Sequence, residues 1–171
     1  AHLPDSNRPA RERFTDITLQ GSLSANAEHG GLAFRSQFDI AGSSFRNEAL
    51  RFAQEGDQAP RLDMASYLMQ VQAGKSKIQI GHLAFSSNRH LIDSFASRGI
   101  SISLPVTARG DVSLAAMNGT NLVGWANFIG LNRRKHQIFT GTFGVELISS
   151  RPGGLRIEGG ALHGSLPPIS N

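Results

Sequence analysis

The amino-acid sequence predicts an all-β protein: an antiparallel meander of about eight strands forming a barrel or a sandwich, with one short helix in a long connection. Three observations predict it. Apolar and polar residues alternate with period two through most of the chain, the pattern of a strand with one apolar and one polar face. Glycine is frequent, at 19 of 171 residues, and favours turns and bulges. Short, turn-rich links alternate strictly with long connections, and in a meander alternate links lie at the same end of the sheet.

The elements follow in order. Residues 1–13, "AHLPDSNRPARER", are polar and carry proline, so they are expected to form a mobile tail ahead of a single β domain over 14–166. In "ITLQGSLSANA" (17–27), Ile17, Leu19, Leu23, Ala25 and Ala27 share one face and Thr18, Gln20, Ser22, Ser24 and Asn26 the other. "LAFRSQFDIAG" (32–42) repeats the alternation, and "RLDMASYLMQVQAG" (61–74) is the third strand. In "KIQIGHLAF" (77–85) the apolar face changes sides between Ile80 and Leu83, with Gly81 at the switch, which predicts a bulge there. "ISISLPVTA" (100–108), "DVSLAAM" (111–117), "QIFTGTFGVELIS" (137–149) and "GLRIEGGALHG" (154–164) complete the set, and 167–171 form a second tail.

"EHGG", "GKS", "RGD" and "SRPGG" read as tight turns, while the connections 46–60, 87–99 and 119–136 are long. All three long connections should gather at one end. The middle one, "NRHLIDSFASRG", has the signature of the short helix. Asn88 suits the N-cap, Leu91, Ile92 and Phe95 share a face, and Gly99 suits the C′ position. Arg89, His90 and Arg98 would then remain exposed at the loop end.

Composition excludes several classes. There is no cysteine, so disulfide frameworks and Cys-based zinc sites are out. The histidines lack metal-ligand spacing, and no metal or other cofactor is expected. "GKS" (74–76) lacks the earlier glycine of a phosphate loop, since Met69 stands there. "RGD" (109–111) reads as a hairpin turn, and "NGT" (118–120) fits a glycosylation sequon. No nucleophile elbow surrounds Ser94 and His90, so a noncatalytic protein is expected, with a polysaccharide-active enzyme as the weaker alternative. No run is long enough for a membrane-spanning helix. The chain starts at Ala1 without an apolar leader, as a mature exported chain or a trimmed one would.

The net charge is +4, carried mostly by arginine, which suits bidentate contact with phosphate, sulfate or carboxylate. The strongest local feature is "NGTNLVGWANFIGLNRRKHQ" (118–137), with the single Trp125 and the run Arg133, Arg134, Lys135, His136. A tryptophan beside amides and cations suits a sugar: the ring stacks and the polar groups take hydroxyls. The expected ligand-binding residues are therefore Arg89, His90, Arg98, Trp125, Arg133, Arg134, Lys135 and His136. The bland alternative is a loop with Trp125, Phe128 and Ile129 packed inward and its charges in water. Nucleic acid is not expected, because the cations are not interleaved with stacking aromatics.

Two-faced strands with tight turns at one end and long loops at the other resemble bacterial outer-membrane β-barrels. The text running from "GHLAFSSNRHLIDSFASRG" through "RGDVSLAAMNGTNLVGWANFIG" to "GTFGVELISSRPGGLRIEGG" carries the likeness, which covers most of 14–166. It implies a noncatalytic protein exported to the outer membrane or cell surface, with the loop end contacting anionic polysaccharide or lipid head groups. Because the first connection is a tight turn, it also implies a portion of a larger barrel. The sequence departs from the class in having one Trp and one Tyr, thin for two aromatic girdles. A secreted, soluble β-sandwich or barrel that binds carbohydrate is the alternative. The two differ in whether Ile17, Leu19 and Leu23 face the centre.

Overall fold

A computed structural model describes residues 15–85, 95–120, 123–132, 136–148 and 155–164. Alternation becomes eight strands: β1 (Thr18–His29), β2 (Leu32–Ser43), β3 (Leu62–Ala73), β4 (Ser76–Phe85), β5 (Phe95–Thr107), β6 (Gly110–Asn118), β7 (Gln137–Glu146) and β8 (Arg156–Gly164). They pair antiparallel in sequence order within one sheet. The sheet is not closed: β1 and β8 are its two edges among the described residues. The long connections between β2 and β3, β4 and β5, and β6 and β7 therefore share one end, and the tight turns the other.

Pairing sorts the side chains into rows. One row reads Ala27, Phe34, Val71, Ile78, Ile102, Leu114, Gly141, Ala161 from β1 to β8. The next row, on the opposite face, reads Glu28, Ala33, Gln72, Lys77, Ser103, Ser113, Thr142, Gly160. One face is thus apolar across the whole sheet and the other is largely polar. The apolar face is also open. Ile17, Leu19 and Leu23 are 66%, 53% and 71% exposed, and Ile78, Leu114 and Phe139 help to line a depression of about 650 Å³ on it. On the polar face, the Asp39 carboxylate accepts from the Ser22 hydroxyl (2.8 Å), the Gln37 amide (3.1 Å) and the Ser66 hydroxyl. That knot ties β1, β2 and β3 together where Ala65 is left unpaired between Asp39–Ser66 and Ile40–Met64.

The buried apolar side chains are concentrated at the loop end. Met64, Leu83, Met117 and Ile138 are buried there, each near the end of its strand that meets a long connection, and Tyr67 is buried at the middle of β3. The sheet splits in the same region. β3 and β4 pair from Ala73–Ser76 to Leu68–Gly81 and no further, while β4 and β5 stay paired from Lys77 to Phe85. Gly81 sits at the fork with φ of +126°. A Cβ there would collide with the Tyr67 carbonyl. The bulge expected at Gly81 is not formed: β4 pairs with β5 in unbroken register through it, and what stands there is a fork away from β3.

The last part of the expected helix, residues 95–99, is strand. The described helix, α1 (Phe52–Glu55), lies in the first long connection, between single 3-10 turns at Arg46–Glu48 and Gly56–Gln58. Over 95–99, β5 extends to match the full length of β4. Asn88, Leu91 and Ile92 lie outside the described residues. Replacing Gly81 with Val is expected to destabilise the fold by about 1–3 kcal/mol, from the strained φ together with the clash. Chemical unfolding monitored by Trp125 fluorescence measures it. A Gly81→Val variant as stable as the parent would mean that the fork is not held by this residue.

Candidate functional site

The split above Gly81 is filled by the connection that follows β6. With no β4 beside it, β3 leaves its backbone open, and Gly124 N–H donates to the Met64 carbonyl at 2.7 Å. The Tyr67 N–H donates to Nδ1 of His82 at 3.1 Å, a side chain standing in for the missing strand partner. Gly124 and Gly130 take φ of +86° and +88°. Both are also sterically required: a Cβ on Gly124 would meet the Arg51 guanidinium, and one on Gly130 would meet the Arg98 backbone.

Tyr67 is the centre of the site. Its ring stacks with Phe128 (centroids 4.0 Å apart) and Phe38 (5.8 Å), and meets His82 edge-on at 5.9 Å. Its hydroxyl donates to the Phe128 carbonyl. The Arg98 guanidinium lies 5.6 Å from the ring centroid, a distance at which a cation is attracted to the π face. Nη1 of Arg98 donates to the Ala126 carbonyl at 3.2 Å. Its Nε and Nη2 are buried without a hydrogen-bond partner among the described residues. The loop is also tied by Asn118, whose amide donates to the Gly130 carbonyl at 2.7 Å.

A second group joins the first long connection to the same place. Arg51 pairs with Asp63, whose side chain is fully buried, and with Glu55 at 2.6 Å. The other Asp63 oxygen accepts the Met64 N–H at 2.9 Å. Arg51 thus lies against Gly124 and beside the strand that Gly124 binds. Among the described residues no group of three or more His, Asp or Glu side chains is gathered as a metal site.

The structure treats the sequence-predicted residues unequally. Arg98, expected on an exposed helix, is a fully buried strand residue paired with His82. The correction has a physical cause: the loop 123–132 lies over it, and Gly130 approaches its backbone closely. Trp125 is 56% exposed, so it does not pack inward, whereas Phe128 does stack on Tyr67. His136 is half-buried with φ of +63°, and its carbonyl accepts the Gly119 N–H at 2.5 Å. Arg89, His90, Arg133, Arg134 and Lys135 lie outside the described residues. Arg98 and Trp125 are still brought close, since Arg98 holds the carbonyl next to Trp125. Tyr67, Asp63 and Asn118 were not singled out from sequence; Arg51 was expected only as one of the loop-end cations. Their one signal was the pair of glycines flanking Trp125, a mark of a shaped loop.

Trp125 reports on this loop directly, being the single tryptophan. Arg98→Met keeps the bulk, removes the bond to Ala126, and should release the loop; a lower Trp125 fluorescence anisotropy with the fold intact is the expected result. Tyr67→Phe keeps the stacks and loses one hydrogen bond, and is expected to cost about 1 kcal/mol in unfolding free energy. Unchanged anisotropy in Arg98→Met would show that the loop is held without it.

No family model matches the chain, and no curated protein or solved structure matches it.

Proposed function

We propose that the chain is a noncatalytic, exported membrane β-sheet of the outer-membrane type, a portion of a β-barrel whose loop end contacts anionic ligands at the cell surface. The observation that carries this reading is the exposed apolar row that runs unbroken from β1 to β8 opposite a polar row. Apolar patches on soluble monomers seldom exceed a few hundred Å². In a bilayer the same face meets lipid, and the polar face lines the interior.

Dimensions support the reading. The strands are 9 to 13 residues long, and a transmembrane strand needs about 9–11. From Ile17 to Ala27 the apolar face runs about 33 Å at roughly 3.3 Å per residue. Tilted by about 40°, it covers about 25 Å of hydrocarbon. The band ends at the loop end. One side-chain step beyond Met69, Ile80 and Ile100 the row passes to Tyr67, His82 and Arg98, and the loop 123–132 covers Tyr67 and Arg98. The free edges of β1 and β8 would pair with further strands of the barrel. Tight turns of such barrels face the periplasm, so β1 would run toward it, as in a larger barrel. The loop end would then face outside, presenting Trp125 to acidic polysaccharide or lipid head groups. A soluble sandwich would instead need a second sheet over the apolar face.

Paired substitutions on neighbouring residues of β6 test the reading. Leu114→Arg, at mid-band on the apolar face, is expected to lower stability in phospholipid vesicles by about 2–4 kcal/mol. Ser113→Arg, on the opposite face, should change it by far less. A chain that is monodisperse and folded in buffer without detergent, with Leu114→Arg tolerated as well as Ser113→Arg, would sink the membrane reading.

A further inference from the structure

The polar face has a feature of its own at the tight-turn end, away from the loops. A cleft of about 440 Å³ opens there, walled by Gln72, Lys77, Ser103, Thr107, Arg109 and Arg156 from four strands and a turn. Lys75 completes the cationic set, against Asp111 and Glu146. The charges are not equally committed. Arg156 is neutralised where it stands, 2.6 Å from both Asp111 and Glu158. The side chains of Lys75, Lys77 and Arg109 hold no ion pair with any described residue, leaving three uncommitted cations facing Glu146.

A second depression of about 470 Å³ continues along the same face and shares Lys77 and Ser103 with the first. Between them the wall is a ladder of amides and hydroxyls. Gln79 donates to Gln70 at 3.1 Å, and the Ser113 hydroxyl donates to Ser103 at 2.8 Å. The Ser101 hydroxyl donates to Oε1 of the Gln79 side-chain amide at 3.4 Å. Such groups can exchange their mutual hydrogen bonds for those of a polyhydroxylated ligand at little net cost.

We propose that this trough binds an acidic sugar, its carboxylate or phosphate held by Lys75, Lys77 and Arg109 and its hydroxyls by Gln79, Ser101 and Ser103. The site is distinct from the Trp125 loop at the other end of the strands. It does not depend on whether the opposite face meets lipid. Carboxylate and phosphate share the chemistry that three clustered cations recognise. Solvent-exposed cation–anion contacts are weak one at a time and screened by salt, so the affinity should need the cluster.

Equilibrium dialysis of the folded chain in mild detergent tests it, with digalacturonate, glucose 1,6-bisphosphate and maltose as probes at low and high salt. Binding of either acid, with maltose at least tenfold weaker, is the expected result, and the arm that binds names the acid. The double substitution Lys75→Gln and Lys77→Gln should weaken binding about tenfold, consistent with two exposed contacts of somewhat under 1 kcal/mol each. Lys75→Arg with Lys77→Arg should retain it, and Arg61→Gln, at the loop end, should leave it unchanged. Equal affinity for maltose, insensitivity to salt, or full binding by the double Gln variant would overturn the proposal. None of these results bears on the vesicle stability of Leu114→Arg, so the two readings fail separately.

Discussion

Backbone pairing between sequence neighbours is the constraint from which the rest of this structure follows. Each strand hydrogen-bonds to the one before and the one after, antiparallel, with register shifts only beside Ala65 and Val106. Because the side-chain period in a strand is two, a register held this closely forces like residues into rows. Val71, Ile78, Ile102 and Leu114 fall in line without contacting a common core. So do Gln72, Lys77, Ser103 and Ser113 on the reverse. A slip of one residue in any pair would mix the two faces from that strand onward.

The same constraint explains why the loop end is the built-up end. Where β3 parts from β4 at Gly81, backbone donors and acceptors lose their strand partners, and a buried unpaired backbone group is costly. The chain supplies substitutes from a distance: Gly124 for the Met64 carbonyl, the His82 ring for the Tyr67 N–H. The wedge that results carries Phe128 onto Tyr67 and leaves Trp125 outside. Burial in this protein is thus a consequence of a break in the sheet.

Charge is distributed to match. The buried cation, Arg98, holds the loop in place and cannot also greet a ligand from solvent. Lys75, Lys77 and Arg109, which hold no ion pair among the described residues, stand at the other end, at the turns that join β3 to β4 and β5 to β6. Two features of different character therefore sit at opposite ends of one sheet: a shaped loop displaying an aromatic ring, and a charged trough floored by amides and hydroxyls.

Much of this was legible in the sequence. The number of strands, their antiparallel order, the two-faced character and the grouping of the long connections are local properties: they need only period-two alternation and turn chemistry. Gly81 was visible for the same reason, as the point where the apolar face of one segment changes sides. The site was not legible in the same way. Arg98 read as the exposed end of a helix because "NRHLIDSFASRG" has helical spacing, but pairing with β4 drew residues 95–99 into a strand and placed Arg98 beside Tyr67. The contacts of Tyr67 with Phe128, 61 residues away, and of Arg51 with Asp63 depend on which segments the fork brings together, and no local pattern encodes that. The trough was missed for a related cause: Lys75, Lys77 and Arg109 are unremarkable turn and strand residues until the register of β4 and β5 sets them around one cleft. Local periodicity determined the strands and their faces; side-chain meetings across the fork and across neighbouring strands were decided by tertiary pairing, because they join residues whose separation along the chain carries no signal.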